Sequence, residues 1–363
     1  MEFSNSNYCI ILAGGRGMRL WPSSRSERPK QFIDFFGTGR TQLQATFDRM
    51  ATFVPKENIY VCTSHDYKHW VREQLPEVSE SRLMIEPVNR NTAASVAHGM
   101  LRIQQRNEHA SIAIVPSDQY VTDDDAFRRN MVYALQLVGE HDMALVMGVR
   151  PTRSEPGYGY IQMGTNGKYD GVYTVKSFVE KPEREFATMF MESGEFLWNT
   201  GIIVSSATYL RQCLRQMFFV LFAPGLCENN TYTIDQIIDY IERNYASLPN
   251  LAIDQGVLQQ SKNVYVMLVD FGWADLGTWH SIYEFMQKSE DDNVVIDSEV
   301  MMEDCKGNII KLPKGHVGVI NGLEGYIVAE EGDVLLICKK SDSSSLIRKY
   351  VNEVGIRYGE QFI

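Results

Sequence analysis

The sequence lacks the features that would indicate an oxidising compartment or a membrane. Its six cysteines are scattered over 363 residues without a CxxC pair, a distribution typical of reduced, buried thiols. The longest apolar run, residues 217–226, is far too short to cross a bilayer. The first residues, MEFSNSNY, lack the positively charged region that opens a signal peptide. We therefore expect a cytoplasmic protein with no signal peptide and no membrane partner.

The chain also lacks an excess of positive charge. Its 35 Lys and Arg are outnumbered by 46 Asp and Glu, which gives a formal net charge of −11. Phosphate backbones are bound by broad basic surfaces, so we expect no nucleic-acid partner, whereas a small anionic ligand is compatible with the composition. The length allows a large core and a second, smaller domain.

One stretch departs from this acidic background, residues 9–32, with the sequence CIILAGGRGMRLWPSSRSERPKQF. Its opening apolar run predicts a buried strand. Glycines at positions 14, 15 and 17 then leave backbone N–H groups uncovered, which lets a loop approach phosphate oxygens. Five cations follow within fifteen residues: Arg16, Arg19, Arg25, Arg28 and Lys30. The stretch therefore indicates a local anion site.

Two well-known phosphate loops do not fit this stretch. A P-loop requires GxxxxGK followed by Ser or Thr, and a Rossmann fingerprint requires GxGxxG. Lys30 instead follows a proline, and Leu20 stands where the third Rossmann glycine would be. From the residues alone, a different phosphate loop and a glycine turn beside a solvated basic loop both remain open.

Strand-like and helical patterns alternate from residue 8 to about residue 149. The strand-like runs are CIILA, IYVCT, RLMIE, SIAIV and ALVMGV. Between them, Leu43 and Phe47 begin one apolar helical stripe, and Phe127 and Met131 begin another. This alternation predicts an α/β fold with a doubly wound, mixed but mostly parallel sheet, whose ligands bind beyond the carboxyl ends of the strands.

The pattern changes near residue 287. An acidic link leads into short strand-like pieces with frequent glycines over residues 294–351. We predict a catalytic domain over residues 1–287 and a small β-rich C-terminal domain over residues 288–363.

Several polar residues stand at the predicted strand ends and have two interpretations each. Asp118 follows SIAIV and could bind a metal or simply favour a turn. Glu180 and Lys181 could form a solvated surface pair, but a sugar phosphate also requires hydroxyl acceptors beside a cation. Asn91 or Thr92 could contact a ligand or cap the following helix.

His65 and His69 are four residues apart on a predicted helix, which is a possible metal-ligand spacing. No third ligand accompanies them, so the simpler interpretation is a solvated helix face.

The glycine-rich stretch resembles the signature LAGGxGxRLxPxSxxxPKQ of sugar nucleotidyltransferases, and its RLWP and PKQF details are similar to the mannose-1-phosphate guanylyltransferase branch of that family. Further similar segments follow in the family's order: EPVNRNTAA, PSD, GYGYI, FVEKP, FLWNTGIIV, LAIDQGVL and FGWADLGTW. The resemblance implies the nucleotidyltransferase fold and the transfer of GMP from GTP to mannose 1-phosphate. It implies Mg²⁺ as the cofactor, and we also expect a homodimer.

Carried over residue by residue, the resemblance assigns roles to positions in this sequence. The catalytic positions are Arg19, Lys30, Asp118 and Asp275, of which Asp118 and Asp275 are the Mg²⁺ ligands. The nucleotide-binding positions are Leu12, Ala13, Gly14, Gly15, Gly17, Arg19, Lys30, Glu86, Asn91, Thr92 and Ser117. The positions for the sugar phosphate are Gly159, Glu180, Lys181, Asn199 and Asp254.

Two other functions remain open at this point. The enzyme could use another sugar 1-phosphate or another nucleoside triphosphate, because selectivity depends on pocket geometry. The chain could also be a non-catalytic sugar-nucleotide sensor on the same fold. A sensor could dispense with the phosphate lysine and the metal carboxylates, so the presence of Lys30, Asp118 and Asp275 favours an enzyme.

Overall fold

The chain folds into two compact units, each assembled from separate stretches of sequence. The structure, a computed structural model, describes residues 4–222, 233–341 and 343–363. Within these, the first unit comprises residues up to 14, 47–117 and 121–273, and the second comprises residues 15–46, 118–120 and 274–363. The division of the chain at residue 287 stays a prediction.

Seventeen strands are found in the described residues. In chain order they are β1 (Asn7–Leu12), β2 (Ile59–Ser64), β3 (Leu83–Glu86), β4 (Ser111–Pro116), β5 (Gln119–Val121), β6 (Ala144–Val149), β7 (Gly159–Asn166), β8 (Val172–Glu180), β9 (Phe196–Ser206), β10 (Val264–Leu268), β11 (Trp273–Asp275), β12 (Val294–Ile296), β13 (Glu299–Glu303), β14 (Ile309–Lys311), β15 (Val317–Asn321), β16 (Tyr326–Glu331) and β17 (Val334–Lys339).

The helices of the described residues are mostly short. They are α1 (Gln42–Met50), α2 (Lys68–Gln74), α3 (Asn91–Gln104), α4 (Asp124–Glu140), α5 (Arg184–Ser193), α6 (Ala207–Arg215), α7 (Ile234–Tyr245), α8 (Ile253–Gly256), α9 (Trp279–Phe285) and α10 (Ser343–Tyr358). Short 3-10 helices include Met18–Leu20 and Lys30–Phe32. None of these helices is long and apolar enough to cross a membrane.

The first unit is built on a nine-stranded sheet with the order β3-β2-β1-β4-β9-β6-β10-β8-β7. Strands β3, β2, β1 and β4 run parallel to one another, whereas β9 is antiparallel to both of its neighbours β4 and β6. The apolar runs form buried strands because helices cover the faces of such a sheet. The predicted mixed, mostly parallel α/β fold is therefore confirmed, and all five predicted strands are present.

The second unit is rich in β-structure, as predicted. Strands β12, β14 and β16 pair in parallel, and β17 closes this sheet in the antiparallel sense. Its core brings Leu20, Trp21 and Phe35 together with Ile309 and Ile327. The indole N–H of Trp21 donates to the carbonyl of Phe362 at 2.7 Å. The segment after the glycine loop thus packs among residues from the end of the chain.

The prediction of strand-like pieces through residue 351 is wrong at its end, because α10 begins at Ser343. Ile347 and Val351 are both buried and lie four residues apart, which is the spacing of a helical face. The thiol prediction is confirmed for Cys9, Cys62, Cys213, Cys305 and Cys338, which are free and buried. Cys227 lies outside the described residues.

Candidate functional site

Lys30 of the second unit, the predicted phosphate-binding lysine, lies between the predicted metal ligands. Lys30 begins the 3-10 helix after the basic loop, and its side chain is only 8% exposed. Its ammonium lies 2.8 Å from Oδ2 of Asp118 and 3.8 Å from Oδ1 of Asp275. Three of the predicted catalytic residues are thus brought together.

The strand pairing explains how two distant aspartates reach the same lysine. Asp118 directly precedes β5, Asp275 ends β11, and these two short strands pair with each other. Burial disfavours the charge on Lys30, but Asp118 and Asp275 outweigh this effect and raise the pKa of the lysine. Lys30 is therefore a fixed positive charge at neutral pH.

Arg19 and two glycines complete this cluster. A Cβ atom on Gly277 would lie 2.9 Å from Oδ1 of Asp275, 3.0 Å from Nη2 of Arg19 and 3.2 Å from Nζ of Lys30. Gly17 has a φ of +63°, and a Cβ there would lie 2.9 Å from Cγ of Lys30. Side chains at these two positions would therefore displace the charged groups.

The side chains of Asp118 and Asp275 fit a hard divalent cation. They are 28% and 29% exposed, so their carboxylates are reachable from solvent. In the part of the chain that the structure describes, no group of three His, Cys, Asp or Glu residues could hold a metal. Mg²⁺ does not need such a group, because it typically takes one or two carboxylates and fills its other positions with waters and substrate phosphates.

The predicted backbone contacts of the nucleotide lie at the carboxyl ends of parallel strands in the first unit. Leu12 pairs with Pro116 at the end of β1, and its carbonyl accepts from the N–H of Ser117 at 3.0 Å. The N–H of Ala13 donates to the carbonyl of Cys62 at 2.7 Å. The hydroxyl of Thr63, which sequence reasoning missed, donates to the carbonyl of Ala13 at 2.9 Å. These hydrogen bonds fix the backbone at the point where β1 leads into the glycine loop.

Glu86 lies in a buried polar network of the first unit. Its Oε1 accepts from the hydroxyl of Ser95 at 2.5 Å and also from the hydroxyl of Tyr245. Burial raises the pKa of Glu86, although these hydrogen bonds favour the charged form. A Cβ on Gly14 would lie 3.1 Å from its Oε2. Sequence reasoning missed Ser95 and Tyr245, and no local pattern links Tyr245 to a residue 159 positions earlier.

The capping interpretation holds in part for Asn91 and not for Thr92. Helix α3 begins at Asn91 with Arg90 in the N-cap position, and Oδ1 of Asn91 accepts from the N–H of Thr92 at 2.8 Å, which pairs one N–H of the first turn. Asn91 has a φ of +64°. The hydroxyl of Thr92 instead accepts from the N–H of Ile253 at 2.9 Å, which ties the start of α3 to α8.

The predicted sugar-side residues form a second cluster, which lies in the first unit. Gly159 pairs with Glu180 across β7 and β8. A Cβ on Gly159 would lie 2.8 Å from Oε2 of Glu180 and 3.4 Å from Cβ of Asn199. Lys181 forms an ion pair with Glu180, and Asp254 interacts with both Glu180 and Asn199. All five predicted residues are therefore neighbours.

Asp254 has unusual electrostatics within this cluster. Burial, together with the negative charge of Glu180, raises the pKa of Asp254 to about 6, although a hydrogen bond with Asn199 opposes the shift. Its Oδ1 atom is buried and has no hydrogen-bond partner in the described part of the chain. An unpaired acceptor of this kind can serve a ligand hydroxyl, because leaving it unsatisfied costs free energy.

The histidine pair lies on a short helical segment, in which His65 belongs to a 3-10 helix and His69 to α2. His65 and His69 are both exposed, and His65 contacts the ammonium of Lys68 at 3.3 Å. Residues 4–222, 233–341 and 343–363 hold no further ligand group that would complete a site with them. The interpretation of a solvated helix face is confirmed.

Comparison with known proteins shows the family to which the chain belongs. The nucleotidyl transferase family matches residues 8–292 of the chain. The chain is 30% identical over 370 residues to a mannose-1-phosphate guanylyltransferase 2 of Escherichia coli O157:H7, an alignment that covers 98% of this chain and 74% of the relative. It is also 30% identical to the alginate biosynthesis protein AlgA of Pseudomonas putida, over 91% of this chain and 68% of the relative.

A solved structure from Thermus thermophilus, described as a mannose-1-phosphate geranyltransferase, superposes with a TM-score of 0.82 at 31% identity. The superposition covers 96% of this chain and 99% of the other. The chain therefore belongs to the nucleotidyl transferase family. It is a sugar nucleotidyltransferase, an enzyme that joins a nucleotidyl group to a sugar phosphate.

Proposed function

We propose that the chain transfers GMP from GTP to mannose 1-phosphate and releases pyrophosphate, giving GDP-mannose. The observation that carries this proposal is the buried Lys30, held between Asp118 and Asp275. The names of the relatives support the choice of guanylyl transfer and of mannose 1-phosphate.

The reaction proposed is an in-line displacement at the α-phosphorus of GTP. An oxygen of the sugar phosphate attacks, the bond to the β-phosphate breaks, and pyrophosphate leaves with its electron pair. Lys30 would stabilise the charge that develops at the α-phosphate, and Arg19 with the amides of Gly14, Gly15 and Gly17 would hold the departing phosphates. No covalent intermediate with the protein is required.

Asp118 and Asp275 would hold Mg²⁺. When bound there, the cation would neutralise phosphate charge. Because Lys30 already contacts both carboxylates, it keeps them oriented toward one point. That orientation is the contribution of the chain itself to metal binding.

The remaining predicted residues belong to the first unit. Glu180, Asn199 and Asp254 would accept hydrogen bonds from sugar hydroxyls or donate to them, and Lys181 would bind the sugar phosphate. Glu86, Asn91 and Thr92 stay predicted contacts on the base side, together with Leu12, Ala13 and Ser117.

Pyrophosphate release with purified protein, across a panel of nucleoside triphosphates and sugar 1-phosphates, tests this proposal. We expect the highest kcat/KM with GTP and mannose 1-phosphate, and a requirement for Mg²⁺. A clear preference for another pair would show that the enzyme uses that nucleoside triphosphate and that sugar 1-phosphate instead. No turnover with any pair, from a protein that still binds nucleotide, would favour the sensor.

We also propose a homodimer. Leu335, Ile337 and Tyr358 expose more than half of their side-chain surface in the second unit, which is consistent with an apolar face that a second copy covers. Light scattering coupled to size exclusion would give the mass in solution. A monomer of 41.4 kDa across the working concentration range would exclude the dimer.

A further inference from the structure

Two buried side chains connect Lys30 to the backbone of the glycine loop. The Oγ atom of Ser24 accepts from the backbone N–H of Lys30 at 3.0 Å, and its hydroxyl donates to the carbonyl of Arg16 at 3.4 Å. Gln31 follows Lys30 and donates its Nε2 to the carbonyl of Gly15 at 2.7 Å. Two consecutive loop carbonyls are thus tied to the segment that carries the lysine.

These bonds determine where the loop N–H groups point. A trans peptide is planar, so its N–H is directed opposite to its carbonyl. Holding the carbonyls of Gly15 and Arg16 therefore turns the N–H groups of Arg16 and Gly17 away from Gln31 and Ser24. Within the described residues, neither of these N–H groups donates to another protein group. Uncovered N–H groups in such a loop are typical donors to an anion.

The same side chains are also coupled by close packing. A Cβ on Gly17 would lie 2.6 Å from Oγ of Ser24 as well as close to Lys30, so the loop backbone rests directly on the serine. Ser24 and Gln31 are both buried, which strengthens their hydrogen bonds and limits alternative rotamers. Movement of Ser24 would therefore displace the loop and the lysine together.

We propose that Ser24 and Gln31 are positioning residues that hold Lys30 and the loop N–H groups in one arrangement for the phosphates of the nucleotide. The proposal rests on the proposed function for its substrate. The proposed role requires no contact of either side chain with the phosphates. Each acts through the backbone, Ser24 on Lys30 and Arg16, and Gln31 on Gly15.

Ser23 provides a matched control for this proposal. It is the neighbouring serine, it is also buried, and its hydroxyl has no hydrogen-bond partner among the described residues. Removing an unpaired buried hydroxyl costs little, so Ser23→Ala should behave like the unchanged protein. Ser24→Ala removes the same atom from a position where it holds two backbone groups.

The first measurement is steady-state kinetics of pyrophosphate release. We expect Ser24→Ala to lower kcat at least about tenfold, because a misplacement of about 1 Å in a catalytic group can cost about 10²-fold. The KM for the sugar phosphate should change less than twofold. In a Lys30→Met background the same change should add little, because the group to be positioned is gone. Gln31→Glu should also lower kcat, because a carboxylate oxygen cannot donate to the Gly15 carbonyl.

The second measurement does not depend on activity. Hydrogen–deuterium exchange of a peptide that covers residues 25–33 should be several-fold faster in Ser24→Ala than in Ser23→Ala, because the N–H of Lys30 loses its acceptor. If the unchanged protein turns over no substrate, the proposed function fails, and the exchange comparison still decides the positioning role. Equal exchange in the two alanine variants would overturn the proposal. Equal kcat values for Ser24→Ala and Ser23→Ala would also overturn it. The same holds if Ser24→Ala lowers kcat by as large a factor in the Lys30→Met background as in the unchanged protein.

Discussion

The two charged clusters differ in how their charges are balanced. In the second unit, Lys30 and Arg19 lie beside the carboxylates of Asp118 and Asp275, so two positive charges balance two negative ones before any ligand binds. In the first unit, Asp254 lies near Glu180, which carries the same charge. Lys181, whose side chain is 51% exposed, pairs with Glu180 and offsets one of these two negative charges. A compensated cluster can hold a fixed geometry for catalysis, whereas an uncompensated one responds to protons and ligands.

The largest effect is expected when the carboxylates of the compensated cluster are changed. Asp118→Asn and Asp275→Asn should each lower kcat on the order of 10³-fold and raise the Mg²⁺ concentration needed, because one metal requires both. The double variant should be scarcely worse than either single variant, because residues that act as a unit are non-additive. Activity against Mg²⁺ concentration measures this.

Asp34 is the control for that experiment. It belongs to the same unit, where its carboxylate accepts from the N–H groups of Thr38 and Gly39 in a turn. Asp34→Asn should affect stability alone and leave the dependence of activity on Mg²⁺ concentration unchanged. Independent, multiplicative losses from Asp118 and Asp275, with an unshifted Mg²⁺ curve, would show that the two aspartates do not share a metal.

The next effect concerns the lysine between them. Lys30→Met should lower kcat on the order of 10²-fold and change the KM for GTP much less, because its charge matters most as the α-phosphate becomes crowded. Lys311→Met is the matched change, since Lys311 is another buried lysine of the second unit and lies over the ring of Phe35. An unchanged kcat for Lys30→Met would show that the charge of Lys30 does not contribute to the reaction.

A smaller effect is expected on ligand binding at the uncompensated cluster. Lys181→Met should weaken binding of mannose 1-phosphate on the order of tenfold and leave GTP binding nearly unchanged, because it removes the cation assigned to the sugar phosphate. Lys176→Met is the control, because Lys176 lies on β8, the strand that Lys181 directly follows, and its side chain is 53% exposed. Calorimetric titration of each ligand alone measures both affinities. Equal weakening of the two ligands by Lys181→Met would contradict the assignment.

The smallest effect is on stability against pH, through Asp254. Its folded pKa of about 6 lies above the value of about 3.9 for an unfolded chain. Between these values the folded state binds more protons, so stability falls as pH rises from about 4 to about 6. Asp254→Asn should lack this slope, so the Tm of the unchanged protein relative to the variant should fall across that window and level off above it.

Thermal unfolding between pH 4 and pH 8 measures that difference. Asp66→Asn, the same change at an exposed carboxylate of the same unit, is the matched control. A pH-independent difference for Asp254→Asn would show that burial does not hold its proton.

The sequence predicted the parts of this fold that follow from local patterns. The five predicted strands are mainly apolar runs, and each is followed by glycine, serine, proline or arginine, so the strands and the positions where they end could be identified. Strand β9 was not predicted as the antiparallel member between β4 and β6, because pairing across the sheet leaves no periodic signal in one segment. Helix α10 was missed for a different reason, since glycine-rich strands led up to it.

The predicted site residues show the same distinction. Lys30, Asp118 and Asp275 could be named from their motifs, but only the pairing of β5 with β11 shows that one ammonium contacts both carboxylates. Tyr245 could not be predicted, because its hydroxyl reaches Glu86 through tertiary packing alone. Motifs identify the reacting groups, whereas the side chains that orient them are determined by long-range contacts.

The packing of Trp21 has a consequence for synthesis on the ribosome. The indole of Trp21 donates to the carbonyl of Phe362, and the indole of Trp279 donates to the carbonyl of Trp21 at 3.1 Å. Such contacts join positions up to 341 residues apart, and contacts of high sequence separation form late. Nearly the whole chain must therefore be translated before the segment that carries Lys30 acquires its native neighbours, whereas every strand of the nine-stranded sheet has been made by Leu268. A nascent chain would complete its sheet first and place Lys30 in its native surroundings last.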